Sequence, residues 1–258
     1  MKLRFWDQPY RLDKMTLKEL WTAYFLHPSI QVYILAGAGC AYASWRLADT
    51  IRPVVLAAVL VVAAYPFVEY LLHRYVLHGR MYRWPWLAKA WKRVHFDHHR
   101  DPHDLRVLFG ALYTTIPAIT VITGAIGAIA GGLAGATAGM AAGFVVFCIY
   151  EFVHSVQHLP YQPRNRFLKK MKQLHLQHHF QDDHTNFGIT NPLGDFVFGT
   201  HNPDPKNTRR SPTVFNLGYT GEEVARFPWV ARLTPDLDEV QAAREGVGRK
   251  KPGGAKRA

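Results

Sequence analysis

The chain has 258 residues, with 31 Lys and Arg against 19 Asp and Glu, a formal charge of +12. Hydrophobic residues make up 48% and charged ones 19%, which excludes a disordered chain, and two cysteines cannot staple a protein of this length, which excludes a disulfide scaffold. The mean hydropathy of −0.10 averages two unlike populations, long apolar runs and a polar remainder that holds most of the 14 histidines.

The N-terminus has no apolar run behind it, so no cleavable signal peptide is expected. Thr16 followed by Glu19 has the form of a capping box, and Leu17, Leu20, Trp21, Tyr24 and Phe25 follow at helical spacing. A short helix lying in a membrane interface is expected there. Residues 28 to 72 carry only Arg46, Asp49, Arg52 and Glu69 as charges, and residues 107 to 152 only Glu151. A membrane-crossing helix needs about 20 mostly apolar residues. Each run is long enough for two, the first breaking at Asp49 to Pro53 and the second near Gly131-Gly132. Four spans are expected, about 30–48, 53–72, 107–127 and 132–152. Gly131, Gly135, Gly139 and Gly143 recur every four residues, a spacing that lets helices approach closely in lipid, and Cys40 and Cys148 read as small apolar residues of the spans.

The fold class expected is therefore an all-α integral membrane protein, with four transmembrane helices in two hairpins and a cytoplasmic helical cap. Five Lys and Arg fall in residues 1–27, eight in 73–106 and sixteen in 153–258, while the two turns on the other face hold Arg52 with Arg46 nearby. The excess of positive charge puts the N-terminus, the 73–106 loop and the C-terminal region in the cytoplasm. Basic residues that flank spans are accounted for by anionic lipid headgroups, so no nucleic-acid partner is expected. Three parts follow: an interfacial segment 1–29, a membrane-embedded domain 30–200 and a C-terminal extension 201–258, whose end, Arg249 to Arg257, reads as a disordered basic tail.

The histidines cluster at the cytoplasmic ends of the spans. His73 and His78 leave the second span, and His95, His98 and His99 follow. His154 and His158 leave the fourth, and His175, His178 and His179 follow. Adding 80 to His78, His95, His98 and His99 gives His158, His175, His178 and His179; only His73 slips by one, to His154. The chain is a duplication of an apolar hairpin followed by a histidine-rich piece. Positions i, i+3 and i+4 share a helix face, so each His-x-x-His-His set is expected to converge. The five-residue step from His73 to His78 suits a bulge or a helix end. Ten imidazoles are too many for one ion; two ions with about five each would leave a coordination position open for oxygen. His27 reads as interfacial, His103 and His184 as supporting or surface residues, and His201 as having no role. Glu69, Glu151, Asp97, Asp101, Asp182 and Asp183 lie close in sequence to these histidines and are candidates to orient them.

With His73-Arg74-Tyr75-Val76-Leu77-His78, His95-Phe96-Asp97-His98-His99, His154-Ser155-Val156-Gln157-His158, His175-Leu176-Gln177-His178-His179 and the stretch Asn186 to Thr200, the chain resembles the fatty acid hydroxylase / sterol desaturase superfamily over about residues 55–200. The His-x-x-x-x-His, His-x-x-His-His and Pro-Leu-x-Asp pieces look closest to the fatty acid 2-hydroxylase branch. The resemblance implies a non-haem di-iron enzyme acting on a lipid or fatty acyl substrate with O2 and two electrons. The ten histidines would be its ligands, holding two iron ions that zinc can replace in purified protein. About 27 residues precede the first span, fewer than the cytochrome b5 domain fused to some members. A separate electron-transfer protein, cytochrome b5-like or ferredoxin-like, is therefore expected. That points to a bacterial inner membrane, or to the endoplasmic reticulum if the source is eukaryotic. Gly194 stands where the family usually has an aromatic after Pro192-Leu193. A lipid or sterol desaturase or oxidase is the nearest alternative. A histidine-rich metal transporter is the alternative of another class, though its ligands should lie within the spans.

Overall fold

A computed structural model describes residues 11–204 and 208–237. Among them the chain is helical, with no sheet and one isolated bridge between Arg11 and Asp104. Helix α1, Leu17–Leu26, starts on the expected box: Thr16 Oγ1 accepts from the Glu19 N–H at 3.2 Å, and the Glu19 carboxylate accepts from the Thr16 N–H at 2.8 Å. It buries Leu20, Ala23 and Tyr24 and leaves Trp21 and Phe25 exposed. The Tyr24 hydroxyl donates to the Cys148 carbonyl at 2.7 Å, tying α1 to the second half of the chain.

Helices α2, Pro28–Leu47, and α3, Ile51–Leu71, form the first hairpin. α2 begins two residues before the expected span because His27 caps it, its Nδ1 accepting from the Ser29 N–H at 3.2 Å, and Pro28 is suited to the first helical position. A π-helical stretch, Leu72–Leu77, continues α3. After it come α4, Pro85–Trp91, a second π-helical stretch, Lys92–Phe96, and the short helices α5, Asp97–Arg100, and α6, Leu105–Leu108.

Helix α7, Leu112–Gln157, is broken at Gly131 and Gly132, where the backbone leaves helical geometry and Gly132 takes a φ of +55°. Its halves fold back on each other through glycine. A Cβ on Gly127 would collide with the Gly135 carbonyl and sit 2.9 Å from the Gly139 Cα, and one on Gly143 would meet the Thr123 side chain at 2.5 Å. Gly135, Gly139 and Gly143 of the four-residue repeat are therefore the contact stripe of this second hairpin, while Gly131, at the break, faces Pro53 of α3. The expected start at residue 107 is corrected to Leu112. Phe109 to Ala111 are held out of the helix, with the Gly110 N–H donating to Glu151 Oε1 at 2.7 Å and Arg93 donating to the Val107 and Phe109 carbonyls at 3.2 Å each. The far end, expected at 152, runs on to Gln157, so His154 belongs to the hairpin itself. Among the described residues, two helical stretches are long and apolar enough to cross a membrane, Ile51–Leu77 and Leu105–Gln157, the second interrupted at Phe109 to Ala111.

Helix α8, Arg166–Phe180, carries the last three of the ten histidines. After α9, Leu193–Val197, the described part of the C-terminal extension packs back on the first half. Tyr219, Val230 and Leu237 pack with Tyr82, Trp91 and Phe96, and Glu223 accepts from the Tyr82 hydroxyl and from Arg83 at 2.8 and 2.7 Å. The basic stretch Arg249 to Arg257 lies outside the described residues.

Candidate metal centre

The ten histidines come from the π-helical extension of α3 and the residue that ends it, the second π-helical stretch with α5, the end of α7, and α8. They meet as two groups of five. His73, His78, His95, His99 and His178 form one; His98, His154, His158, His175 and His179 form the other; in each, the ligand-capable atoms lie within 4.8 Å of one another. All are buried except His78, which is partly buried.

The expectation that each His-x-x-His-His set converges is corrected. His95 and His99 have ring centroids 4.6 Å apart, while His98 stands 6.4 Å from His95 and 4.8 Å from His154. His178 likewise leaves α8's group and faces His78, Nε2 to Nε2, at 3.0 Å. At about 100° per residue, i+4 returns to within about 40° of i, whereas i+3 falls short by about 60° on the other side. The two histidine groups lie on either side of each helix, and the i+3 histidine falls in the far one. Each half of the duplication thus supplies four histidines to its own group and lends one to the other.

The five-residue step from His73 to His78 has the expected cause. Leu72–Leu77 is π-helical, the His78 N–H donates to the His73 carbonyl at 3.0 Å, and the one extra residue accounts for the slip of one in the repeat.

Ring nitrogens that point outward bind carbonyls. His73 Nδ1 pairs with the Phe187 carbonyl, His99 Nδ1 with that of Val214 at 2.8 Å, and His178 Nδ1 with that of Thr185 at 2.8 Å. An Nδ1–H donated outward leaves an Nε2 lone pair facing inward. Among the described residues, the Nε2 atoms of His73, His95 and His99 are buried without a hydrogen-bond partner, as are both nitrogens of His179. In the second group, His158 Nε2 lies 2.9 Å from His175 Nε2 and 3.3 Å from His154 Nε2, and His98 Nε2 lies 3.1 Å from His154 Nε2. Neighbouring nitrogens at about 2.1 Å from one cation would be about 3.0 Å apart, so these spacings fit ligands around an ion. Burial, and then neighbouring imidazoles, hold His95, His98, His158, His175 and His179 well below the ordinary histidine range; His99 is pushed down to about 3. Neutral imidazole is the form that binds metal.

The carboxylates named as candidate orienters are engaged elsewhere. Glu69 accepts from the Ile189 and Thr190 N–H groups and from the Thr190 hydroxyl, and Glu151 from Gly110. Asp97 pairs with Lys92 at 2.7 Å, Asp101 with Arg11, and Asp183 with Thr213 at 2.9 Å. Asp182, Asp183 and His184 form a separate group in which His184 is exposed. His103 stacks on Phe180 at 5.8 Å, 6.1 Å from His158, and His201 packs on Phe196 at 4.2 Å. Asp195, the acid of the Pro-Leu-x-Asp piece and not among the candidate site residues, accepts from the N–H groups of Phe187 and Gly188 at 2.8 Å each and so fixes the loop whose carbonyl meets His73.

Helices α3 and α4, the second hairpin and the histidines line a cavity of about 350 Å3. Its wall is mainly apolar, with Val61, Ile119 and Ile126 among its residues, and includes His73 and His95 of one group and His98, His154, His175 and His179 of the other.

Residues 58–200, more than half of the chain, match the family model for fatty acid hydroxylase. The chain belongs to the fatty acid hydroxylase family. A dihydroceramide fatty acyl 2-hydroxylase of Arabidopsis thaliana is 32% identical over 164 residues, covering 62% of this chain and 67% of that one. A fatty acid 2-hydroxylase of Rattus norvegicus is 30% identical over 154 residues, 57% of this chain and 41% of that one, so the chain spans well under two thirds of that relative. The hydroxylase domain of scs7p superposes with a TM-score of 0.53 at 24% identity over 78% of this chain and 71% of that one, a likeness of fold.

Two features of this member of the family bear on the histidine groups and the loop beside them. Val214, whose carbonyl meets His99, lies beyond the matched region, so the extension takes part in building the centre. At Gly194 a Cβ would collide with Tyr70, coming within 2.6 Å of its Cδ2, and Tyr70 is fully buried, stacked on Phe198 at 4.9 Å. Tyr70 thus fills the space that an aromatic at 194 would need. Gly194→Phe is expected to cost about 1–3 kcal/mol by overpacking, and Tyr70→Ala in the same chain to restore part of it. Thermal unfolding of the single and double variants checks this; a double variant no better than the single would contradict it.

Proposed function

We propose that this chain is a membrane-embedded di-iron enzyme that hydroxylates an acyl chain at the carbon next to its carbonyl. The observation that carries the reading is the apolar cavity whose wall takes histidines from both groups, which would place an acyl C–H beside both centres at once. The names of the relatives add the substrate class and the position. Four membrane crossings follow if α2, α3 and the two halves of α7 all span, with the histidines on the cytoplasmic side. Residues 30–200 would form the membrane domain, flanked by 1–29 and by 201–258.

The residues divide the work. His73, His78, His95, His99 and His178 would hold one ion, and His98, His154, His158, His175 and His179 the other. The carbonyls of Phe187, Val214 and Thr185 keep three of those rings turned with Nε2 inward. Glu69 and Asp195 pin the 187–190 loop that supplies one of these carbonyls. The apolar wall excludes water and holds the acyl chain. Iron bound at these histidines supplies the oxidising power for an unactivated C–H bond, which side chains lack. The balance is C–H plus O2, two electrons and two protons giving C–OH and water. The electrons would come from a separate cytochrome b5-like or ferredoxin-like protein.

Lipid extracts from cells expressing the protein under 18O2 test this. The expected product is heavier by one oxygen, carries the label on the carbon beside the acyl carbonyl, and is absent with His98→Ala. Loss of two hydrogens without label would replace hydroxylation by desaturation.

A further inference from the structure

Helix α9 turns its apolar side outward. Gly194 and Asp195 are buried, while Leu193, Phe196 and Val197, at i, i+3 and i+4 on one face, are 43%, 58% and 58% exposed. Contiguous apolar surface of this kind is uncommon on a face that meets water. The helix is held firmly behind that face. The Asp195 carboxylate accepts from the Phe187 and Gly188 N–H groups, Phe198 stacks on Tyr70 at 4.9 Å, and the Tyr70 and Thr200 hydroxyls are 2.9 Å apart. Tyr70 lies in the last turn of α3, so α9 is fixed at the level where that helix ends. Beside it Leu71 and Tyr75 are exposed as well. The start of α8 joins this surface. Lys170 Nζ lies 3.5 Å from the Pro203 carbonyl, on the segment whose His201 packs against Phe196. Phe167, one turn before Lys170, is exposed. Residues 161–181 hold five Lys and Arg and no Asp or Glu, and of the five only Lys172 is buried.

We propose that α9 and the start of α8 form a foot that stands in the leaflet on the histidine side of the membrane. Leu193, Phe196 and Val197 sink among the acyl chains just below the headgroups, and Arg164, Arg166, Lys169 and Lys170 bind anionic phospholipid headgroups. This goes beyond the catalytic reading and rests on its placement of α3 across the membrane. Level and charge choose lipid as the occupant. Packed on the last turn of a crossing helix, the outer face of α9 lies where acyl chains give way to headgroups, and a water-soluble partner would have to force itself between cap and bilayer. An apolar helix face edged by basic residues is the make-up of an interfacial helix. Lys and Arg clustered beside a span are drawn to anionic headgroups. The foot also reaches the histidines. Asp195 sits within it and fixes the loop whose Phe187 carbonyl meets His73, so the depth of the foot sets the height of the first histidine group above the bilayer.

The test places a nitroxide on the full chain in lipid nanodiscs, with Cys40 and Cys148 replaced by alanine. Labels go on Phe196→Cys and on Val197→Cys, and on Val59→Cys, an exposed position in the middle of α3, as the reference for a crossing. Oxygen, which concentrates among acyl chains, is expected to relax the labels at 196 and 197 at least about threefold more than a water-soluble nickel chelate does, as for side chains about 5–10 Å into the boundary. Adding phosphatidylglycerol to phosphatidylcholine should raise that ratio about twofold, and the combined change Arg166→Gln, Lys169→Gln and Lys170→Gln should abolish the rise, since basic residues near an anionic surface supply the attraction. An excess of nickel relaxation at 196 and 197 with an excess of oxygen relaxation at 59 overturns the foot and leaves the crossing standing. Protection from both reagents at 196 and 197 means that protein covers α9, and overturns it likewise. An excess of nickel relaxation at 59 as well overturns both. A ratio indifferent to phosphatidylglycerol overturns the headgroup contact.

Discussion

Replacing His98 by alanine is expected to strip the ion from the group built mainly by the second half of the chain, and His178→Ala the ion from the group built mainly by the first. Losing one of five ligands, and leaving a cavity in a packed nest of rings, should lower metal affinity and turnover by more than about 100-fold, beyond what loss of an orienting partner causes. The crossing of the two histidines makes pairs of variants decisive. His98 and His154 lie in one group and His98 and His178 in different ones. Metal per chain, measured by mass spectrometry on purified protein, should fall from about two to about one in His98→Ala. It should fall no further in His98→Ala with His154→Ala, and should reach about zero in His98→Ala with His178→Ala. Double variants of this kind report shared membership because effects within one site do not add. If His98→Ala and His95→Ala together removed no more metal than either alone, the crossed assignment would be wrong.

The sequence carries the duplication, the ten histidines and the hairpins because each is a pattern along the chain: apolar length, a period of 80, and two glycines where the chain must turn. It does not carry the crossing of His98 and His178. Spacing places three histidines on one broad helix face. Which of them serves which centre depends on where the other helices stand, and that is a property of packing between halves. The carbonyls of Phe187, Val214 and Thr185 are equally silent, since every residue has one and nothing in the side chains marks those used. Glu69 and Glu151 are different. Lone acids inside apolar runs are visible signals, but nearness to histidines in sequence suggested that they orient imidazoles. In the fold they reach across to the loop of the opposite half. The segment 208–237 lies in the C-terminal extension 201–258, for which the sequence suggested no part in the histidine groups. It packs through a few aromatic residues, Tyr219 against Tyr82 and Trp91, and these bring Val214 to His99.

Acid is expected to unfold the metal-free protein over a narrow range. His95, His98, His99, His158, His175, His178 and His179 are all buried and held below the ordinary value of 6.5 by desolvation first and by one another second. A base whose folded value is depressed stabilises the fold fully above its unfolded value. As pH falls below 6.5 the unfolded chain takes up a proton that the folded chain refuses, and stability declines until the folded value is reached, about 3 for His99. Each such histidine contributes about 1.4 kcal/mol per pH unit, so even three of them remove about 4 kcal/mol between pH 6 and 5, a large part of the stability of an ordinary domain. Metal opposes this by binding only the neutral rings, and the same competition means that acid releases it. Thermal unfolding followed by circular dichroism from pH 7.5 to 5.0 should therefore give a melting temperature that falls steeply for chelator-treated protein and moderately for iron-loaded protein. The loaded form should convert to the steep branch once iron is lost. A metal-free protein whose melting temperature stays level across this range would mean that the ten rings are not packed together without their ions, and that the metal builds the nest rather than filling it.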